Sequence, residues 1–277
     1  SIKKFKLNHK SNVLEIASND GYLLKNFVDQ KIPCLGIEPT KACAEASRKK
    51  GINTIEEFFT INFAKKMREE RTFDLIIANN VLAHVPDVNN FMKAISIVLN
   101  QDGIVSIEFP HLLQLLKNNQ FDTIYHEHYS YFSLKVVEKI AIQNGLCVVD
   151  VQELSTHGGS LRVFLKLFSK SFKSKNVEEV IRKENYFDLE NIQSFDNFQN
   201  NSLKIKYNFL NYLLKRKDAK KLTVGYGAAA KGNTLINYAG VKSDLIDFVV
   251  DRAVSKQGKY LPGSHIPIVS EEKLTRN

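Results

Sequence analysis

The stretch LEIASNDGYLL, residues 14–24, decides how the rest of this sequence is read. A short apolar run gives way to the turn-forming ASNDG, and helical spacing begins directly after it. A strand, a turn and a helix in that order place a ligand over the carboxyl ends of the strands, facing backbone N–H groups and a helix N-terminus. The turn is not GxGxxG, so it does not support a pyrophosphate cradle. A cofactor without phosphates fits it better.

Working outward, further apolar runs, CLGIE (34–38), FDLIIAN (73–79) and GIVSIEF (103–109), alternate with amphipathic segments near 22–30, 41–50, 62–70 and 88–99. This is the pattern of βαβ units around a parallel sheet. CVVDVQEL (147–154) and LRVFLKLF (161–168), joined by STHGGS, read as an antiparallel hairpin that closes the sheet. A parallel sheet finished by a hairpin suits a class I methyltransferase, a Rossmann-like α/β fold with a seven-stranded sheet, rather than a symmetric dinucleotide fold. Residues 1–168 are therefore expected to form one α/β domain. Residues 169–221, Lys- and Asn-rich with Tyr207, Leu210, Tyr212, Leu213 and Leu214 at helical spacing, read as a helical connector. Residues 222–277 read as a smaller Rossmann-like unit opening with LTVGYGAAAKGNTLINYAG.

Composition narrows the classes. With 277 residues, 43% hydrophobic and 25% charged, the chain is ordinary globular protein. No apolar run approaches the roughly 18 residues of a membrane span, and SIKKFKLNHK lacks a signal-peptide core, so no membrane association and a cytoplasmic location are expected. Cys34, Cys43 and Cys147 form neither a disulfide framework nor a CxxC pair, and no metal is expected. The formal charge of +9 favours anionic ligands, yet its lysines are scattered along the chain. No RNP-like aromatic motif, helix-turn-helix pattern or arginine cluster points to nucleic acid.

Successive strand ends converge on one place. The first loop supplies Glu15, Ala17, Ser18, Asn19, Asp20 and Gly21. The second strand ends in GIEP, where Glu38, followed by Pro39, can accept both hydroxyls of a ribose. Glu57 beside Phe58 follows the third strand and can flank an adenine ring. IIANNVLAHVPD (76–87) puts Asn79, Asn80 and His84 at the end of the fourth. Together they imply S-adenosyl-L-methionine (SAM), released as S-adenosyl-L-homocysteine.

EIASNDGYLL, GIEP, ANNVLAHVPD, IEFP, YHEHYSYFS, STHGGSLRVF, GYGAAAKGNTLIN and KQGKYLPGSHIPI also resemble, in order, the motifs of the sugar C-methyltransferase family. These SAM-dependent enzymes methylate C-3 of nucleotide-linked 4-keto-deoxysugars, and the likeness runs from about residue 12 to 270. The resemblance implies a small nucleotide-sugar substrate, whose diphosphate accounts for the positive charge. It implies that a Tyr-x-Glu-His element, here Tyr125, Glu127 and His128, lies over the SAM methyl with His128 as base. A neutral imidazole suits removal of a proton beside a ketone. Tyr125 would donate to the enolate oxygen, and Glu127 would orient the site or hold a sugar hydroxyl. It further implies that His157, Ser160 and Arg162 face the substrate, while Lys231 near GYGAAAKG is a diphosphate contact.

On the residues alone other readings stand. The histidines of YHEH can be surface groups, paired glycines at a hairpin can be only the turn, and Gly225 and Gly227 can serve only a strand-to-helix turn. Members of the family usually begin with a cysteine-rich zinc-binding domain and continue past IPIVSEEKL. This chain shows neither, so its last unit is expected to be incomplete. A monomer or a homodimer is expected. The rivals are SAM-dependent methylation of oxygen or nitrogen on another small molecule, and a non-catalytic nucleotide- or SAM-binding protein.

Overall fold

The computed structural model describes residues 2–168 and 173–274. The start of the connector expected at 169 and the last residues of the unit expected to end at 277 lie outside the described residues. The chain divides into two compact units, Ser1–Gln114 with Glu127–Glu190, and Leu115–His126 with Asn191–Asn277.

The first unit runs β1 (Val13–Ile16), α1 (Lys25–Asp29), β2 (Cys34–Ile37), α2 (Lys41–Lys49), β3 (Thr54–Ile55), α3 (Ile61–Glu70), β4 (Phe73–Asn79), α4 (Val88–Val98) and β5 (Leu99–Pro110). After α5 (Leu112–Lys117) it continues with α6 (Leu134–Gln143), β6 (Leu146–Leu154), β7 (Ser160–Leu167) and α7 (Lys175–Phe187). The strands form one sheet in the order β3-β2-β1-β4-β5-β7-β6. β1 to β5 are parallel, and β7 lies antiparallel between β5 and β6. This is the class I methyltransferase fold, and the expected hairpin is the element that inverts the sheet.

Strand alternation explains the core. Leu14, Ile16, Ile76, Ala78, Val105 and Ile107 turn to one face, with buried residues of α3, α4 and α6. Val13, Leu75 and Ile77 turn to the other, against Leu24, Phe27 and Ile52. Because β1 has a neighbour on each edge and side chains over both faces, all four of its residues are buried, which is why it reads as an unbroken apolar run apart from Glu15. Helix starts are capped where the sequence supplies a short polar residue. Thr60 accepts from the Phe63 N–H, Asp87 from the Asn90 N–H and Ser133 from the Val136 N–H.

The second unit holds α8 (Asp196–Asp218), β8 (Val224–Tyr226), α9 (Ala230–Ala239), β9 (Phe248–Val250) and β10 (Ile268–Val269). Its parallel strands lie in the order β10-β9-β8. Leu213 of α8 packs with Ile236, Val241, Val249, Leu261 and Ile268. The segment read as one connector is thus shared out: α7 packs on β6 in the first unit, and α8 belongs to the second. The expected apolar stripe of α8 is narrower than its spacing suggested. Leu210 and Leu213 face the core, whereas Tyr207, Tyr212 and Leu214 are exposed, because the rows that meet this small sheet are set by Phe209, Leu210 and Leu213.

Candidate active site

The loop after β1 has an unusual backbone for its sequence. Ala17, Asn19 and Gly21 alternate in the left-handed region, at φ +57°, +50° and +75°. At Gly21 a Cβ would lie 2.5 Å from Ser47 Oγ and against Ile52 Cδ1, so glycine is required there. Asn tolerates the conformation, and Ala17 holds it at a cost of about 1 kcal/mol. The loop therefore takes the left-handed steps of a glycine-rich turn with one glycine.

Glu38 fastens this loop to β2. Its Oε2 accepts the Asn19 N–H at 3.0 Å and its Oε1 the Thr40 N–H at 2.8 Å, and only 4% of the residue is exposed. On the other side, Asn80 turns out of β4 at φ +54° and its N–H bonds the Glu108 carbonyl at 2.8 Å. β1 and β4 are where the strand order reverses, the place at which an open α/β sheet leaves a crevice.

A crevice of about 830 Å³ opens there. Ala17, Asn19, Glu38, Pro39, Glu57, Phe58, Asn79, Asn80 and His84 all line it, and so does Glu127. The Asn79 Oδ1 is buried without a hydrogen-bond partner, an acceptor suited to an ammonium or hydroxyl group. Glu38 retains lone pairs beyond the two backbone donors it serves, and apolar Ile37, Phe59, Val81 and Phe91 complete the wall. A carboxylate with lone pairs to spare, apolar walls and a polar acceptor at the β4 end are a lining into which SAM fits.

At the rim, the Tyr129 N–H bonds the Ala83 carbonyl at 2.8 Å, drawing the segment after Glu127 onto the turn at Leu82–His84. The His128 ring then stands against His84, centroids 4.8 Å apart at 66°, and against Tyr131 at 5.7 Å. His128 thus reaches the crevice wall through His84, while Glu127 faces the crevice directly.

Other expected residues lie elsewhere. Glu15, Ser18, Asp20 and Gly21 do not line the crevice. Glu15, 2% exposed, sits inside the sheet, and burial pushes its carboxyl up to about 8. Ser18 is buried beneath β2, where a Cβ on Gly36 would lie 2.5 Å from its Oγ. Asp20 pairs with Lys50 at 2.5 Å, and the Lys50 hydrogen bond holds its carboxyl below the ordinary range. Glu15, Asp20 and the loop residues between them cannot all face one side of so sharply turned a backbone.

Of the expected substrate residues, His157 is exposed in a left-handed turn at φ +54°. Ser160 is buried and donates to the Thr156 carbonyl at 3.0 Å. Arg162 gives Nη2 and Nε to Glu108 Oε2 at 2.7 and 3.2 Å, and lines a smaller cavity of about 340 Å³ that also touches Asn79. Tyr125 and Lys231 belong to the second unit, Lys231 in the first turn of α9.

Sequence reading missed Thr40, Thr60, Asp87 and Asn90 among the lining residues. The signal was present for two of them: Thr60 and Asp87 cap helices that follow strands, and such caps gather at the carboxyl end of a parallel sheet.

Residues 2–151 match the family described as methyltransferase domain, and residues 155–277 match the C-methyltransferase C-terminal domain. Over 263 residues the chain is 33% identical to the C-methyltransferase NovU of Streptomyces niveus, covering 94% of this chain and 63% of that protein. Among solved structures, an S-adenosylmethionine-dependent methyltransferase from Clostridium acetobutylicum is similar at TM-score 0.48 and 12% identity, over 61% of this chain and 88% of that one. Magnesium protoporphyrin IX methyltransferase from Synechocystis, with bound SAH, is similar at TM-score 0.46 and 14% identity, over 57% and 74%.

Proposed function

From the premise that the chain belongs to the methyltransferase domain family, we propose that it transfers the methyl group of SAM to carbon, the acceptor being C-3 of a nucleotide-diphospho-4-keto-deoxysugar. The carbon acceptor is supported by the match to the C-methyltransferase C-terminal domain and by the likeness to NovU. The keto sugar is supported by the YHEHYSYFS and STHGGSLRVF motifs. The observation that carries the reading is the meeting of Glu38, Asn79 and Glu127 around one crevice, with the His84–His128 ring pair at its edge.

In this reading Glu38 takes the ribose hydroxyls, Phe58 and Phe59 cover the purine, and Asn79 Oδ1 accepts from the amino group of the methionine part. SAM, when bound, supplies an electrophilic methyl on a sulfonium sulfur. His128 takes the proton from the carbon beside the ketone, and the electron pair of that C–H bond passes into the enolate, whose carbon is the nucleophile. Glu127 holds a sugar hydroxyl at the crevice, which orients the acceptor. Holding acceptor carbon and methyl at contact distance supplies much of the rate.

The test is methyl transfer from labelled SAM to a nucleotide-linked 4-keto-deoxysugar by the wild type and by His128→Ala, with SAM affinity measured calorimetrically. The expected result is a loss of kcat of about 100-fold to 10,000-fold with SAM affinity within twofold. Undiminished turnover in the variant removes His128 as base. SAM binding with transfer only to oxygen or nitrogen acceptors replaces the carbon reading.

A further inference from the structure

The deepest ionisable contact of the first unit lies outside the crevice. Glu184 of α7 and His111, which follows β5, are each 1% exposed, and His111 Nε2 lies 2.7 Å from Glu184 Oε1. The same oxygen accepts the Leu134 N–H at 2.5 Å, and Oε2 accepts the Lys135 N–H at 3.1 Å. Two first-turn amides of α6, where negative charge is favoured, and the His111 ring nitrogen thus meet on one carboxyl group. His111 Nδ1 is buried without a partner, which suits a neutral ring donating from Nε2, because an N–H at Nδ1 would be orphaned.

What these bonds hold is the segment carrying Glu127 and His128. That segment ends at Ser133, whose side chain caps α6, and Leu134 and Lys135 follow at once. Its last residue before the cap, Phe132, pairs with His111, and the Leu112 N–H bonds the Phe132 carbonyl at 2.9 Å. His111 is itself held by its N–H on the Gly159 carbonyl at 3.0 Å. Glu184 thus grips both the exit of the segment and the strand end beside it, whereas the middle is held by the bond between Tyr129 and Ala83.

We propose that Glu184 is a positioning residue: through His111 and the first turn of α6 it keeps residues 127–133 in the register that sets Glu127 at the crevice and His128 against His84. Its catalytic meaning rests on the reading above, but its structural meaning does not. Replacing the carboxylate by an amide turns one of its two acceptor oxygens into a donor, so one first-turn N–H of α6 loses its acceptor, and the segment shifts to reach another. Displacement of a reacting group by about 1 Å can cost on the order of 100-fold in rate. The hydrogen bonds of the pair run to α6 and to Gly159, not to the crevice residues on β1 and β2, so cofactor affinity should not follow.

The test is Glu184→Gln, read by amide hydrogen exchange and by kinetics. The expected result is exchange in residues 127–135 faster by about tenfold or more, unchanged exchange in β1 and β4, SAM affinity within twofold, and kcat lowered about 10-fold to 100-fold. Should that variant fail to fold, His111→Gln keeps the carboxylate and both α6 bonds and should give the same pattern in smaller measure. Unchanged exchange at 127–135, or acceleration spread equally over β1 and β4, overturns the proposal and leaves Glu184 a general stability residue. A wild type that methylates no keto sugar refutes the functional reading alone, and the exchange pattern still decides this one.

Discussion

The two units contain the same local device and put it to different ends. In the first, the carboxylate after the second strand, Glu38, accepts the N–H of Asn19 in the β1 loop and that of Thr40 two residues on. In the second, Asp251 after β9 accepts the N–H of Ala228 in the β8 loop at 2.7 Å and that of Ala253, again two residues on, at 2.8 Å. These backbone donors hold the Asp251 carboxyl below its usual range. An acidic residue at that position is therefore first a clamp on the preceding loop. The difference lies beside it. Next to Glu38 the sheet continues through β4 and a crevice opens at the reversal of strand order. Among the described residues no strand continues the second sheet past β8, and Lys256 reaches the loop instead, bonding the Ala228 carbonyl at 2.9 Å and Asp251 at 3.4 Å. A carboxylate clamp plus a switch point makes a binding crevice, and the clamp alone makes a turn.

The largest effect expected from this contrast is on cofactor binding. Glu38→Gln should weaken SAM affinity about 100-fold, or roughly 3 kcal/mol, whereas Asp251→Asn should leave it within twofold. Calorimetry on the two variants decides it, and equal losses would end the distinction between the units. Next comes stability of the two loops. Gly21→Ala adds a left-handed strain to a collision with Ser47 and Ile52, while a Cβ on Gly227, at φ +93°, meets nothing within 4 Å. Thermal unfolding should show a loss of about 3 kcal/mol for the first and about 1 kcal/mol for the second. A reversed order would mean that the β1 loop is not packed as described.

A further contrast is one of pH. Two residues before the first left-handed position, β1 carries Glu15 and β8 carries Gly225, so among the described residues only the strands of the first unit bury a carboxyl. Burial raises Glu15 from 4.5 to about 8. Between those values the folded state holds a proton that the unfolded chain has released, so stability falls as pH rises through this window and levels off above it. Glu15→Gln should abolish that decline in the unfolding of the first unit alone. Parallel pH profiles for wild type and variant would place the buried charge elsewhere.

Much of the fold was legible because its cause is local. The alternation of apolar runs with 3.6-residue periodicity announces a parallel sheet, and STHGGS between two apolar runs announces the inverted hairpin, each from hydrophobic spacing and turn chemistry within a dozen residues. The crevice residues at strand ends, Ala17, Asn19, Glu38, Asn79 and Asn80, were legible for the same reason: a parallel sheet brings carboxyl ends together whatever its loops contain. The missed residues depend on direction. Asp20 was read as cofactor-facing, but left-handed backbone on either side swings it out to Lys50. Ser160 was read as facing the substrate, but the left-handed His157 and Gly159 before it turn its hydroxyl onto Thr156.

Order along the chain was thus enough to specify which residues are strand ends and which chemistry they bring, because side-chain type and period-two or period-3.6 burial are properties of neighbours. Only the folded chain decided that Glu15 is sealed within the sheet, that His128 meets His84, and that Glu184 reaches 73 residues back to His111. Those pairings join segments with no shared periodicity, and each is selected by the cost of leaving a polar group dry and unpartnered in a close-packed interior.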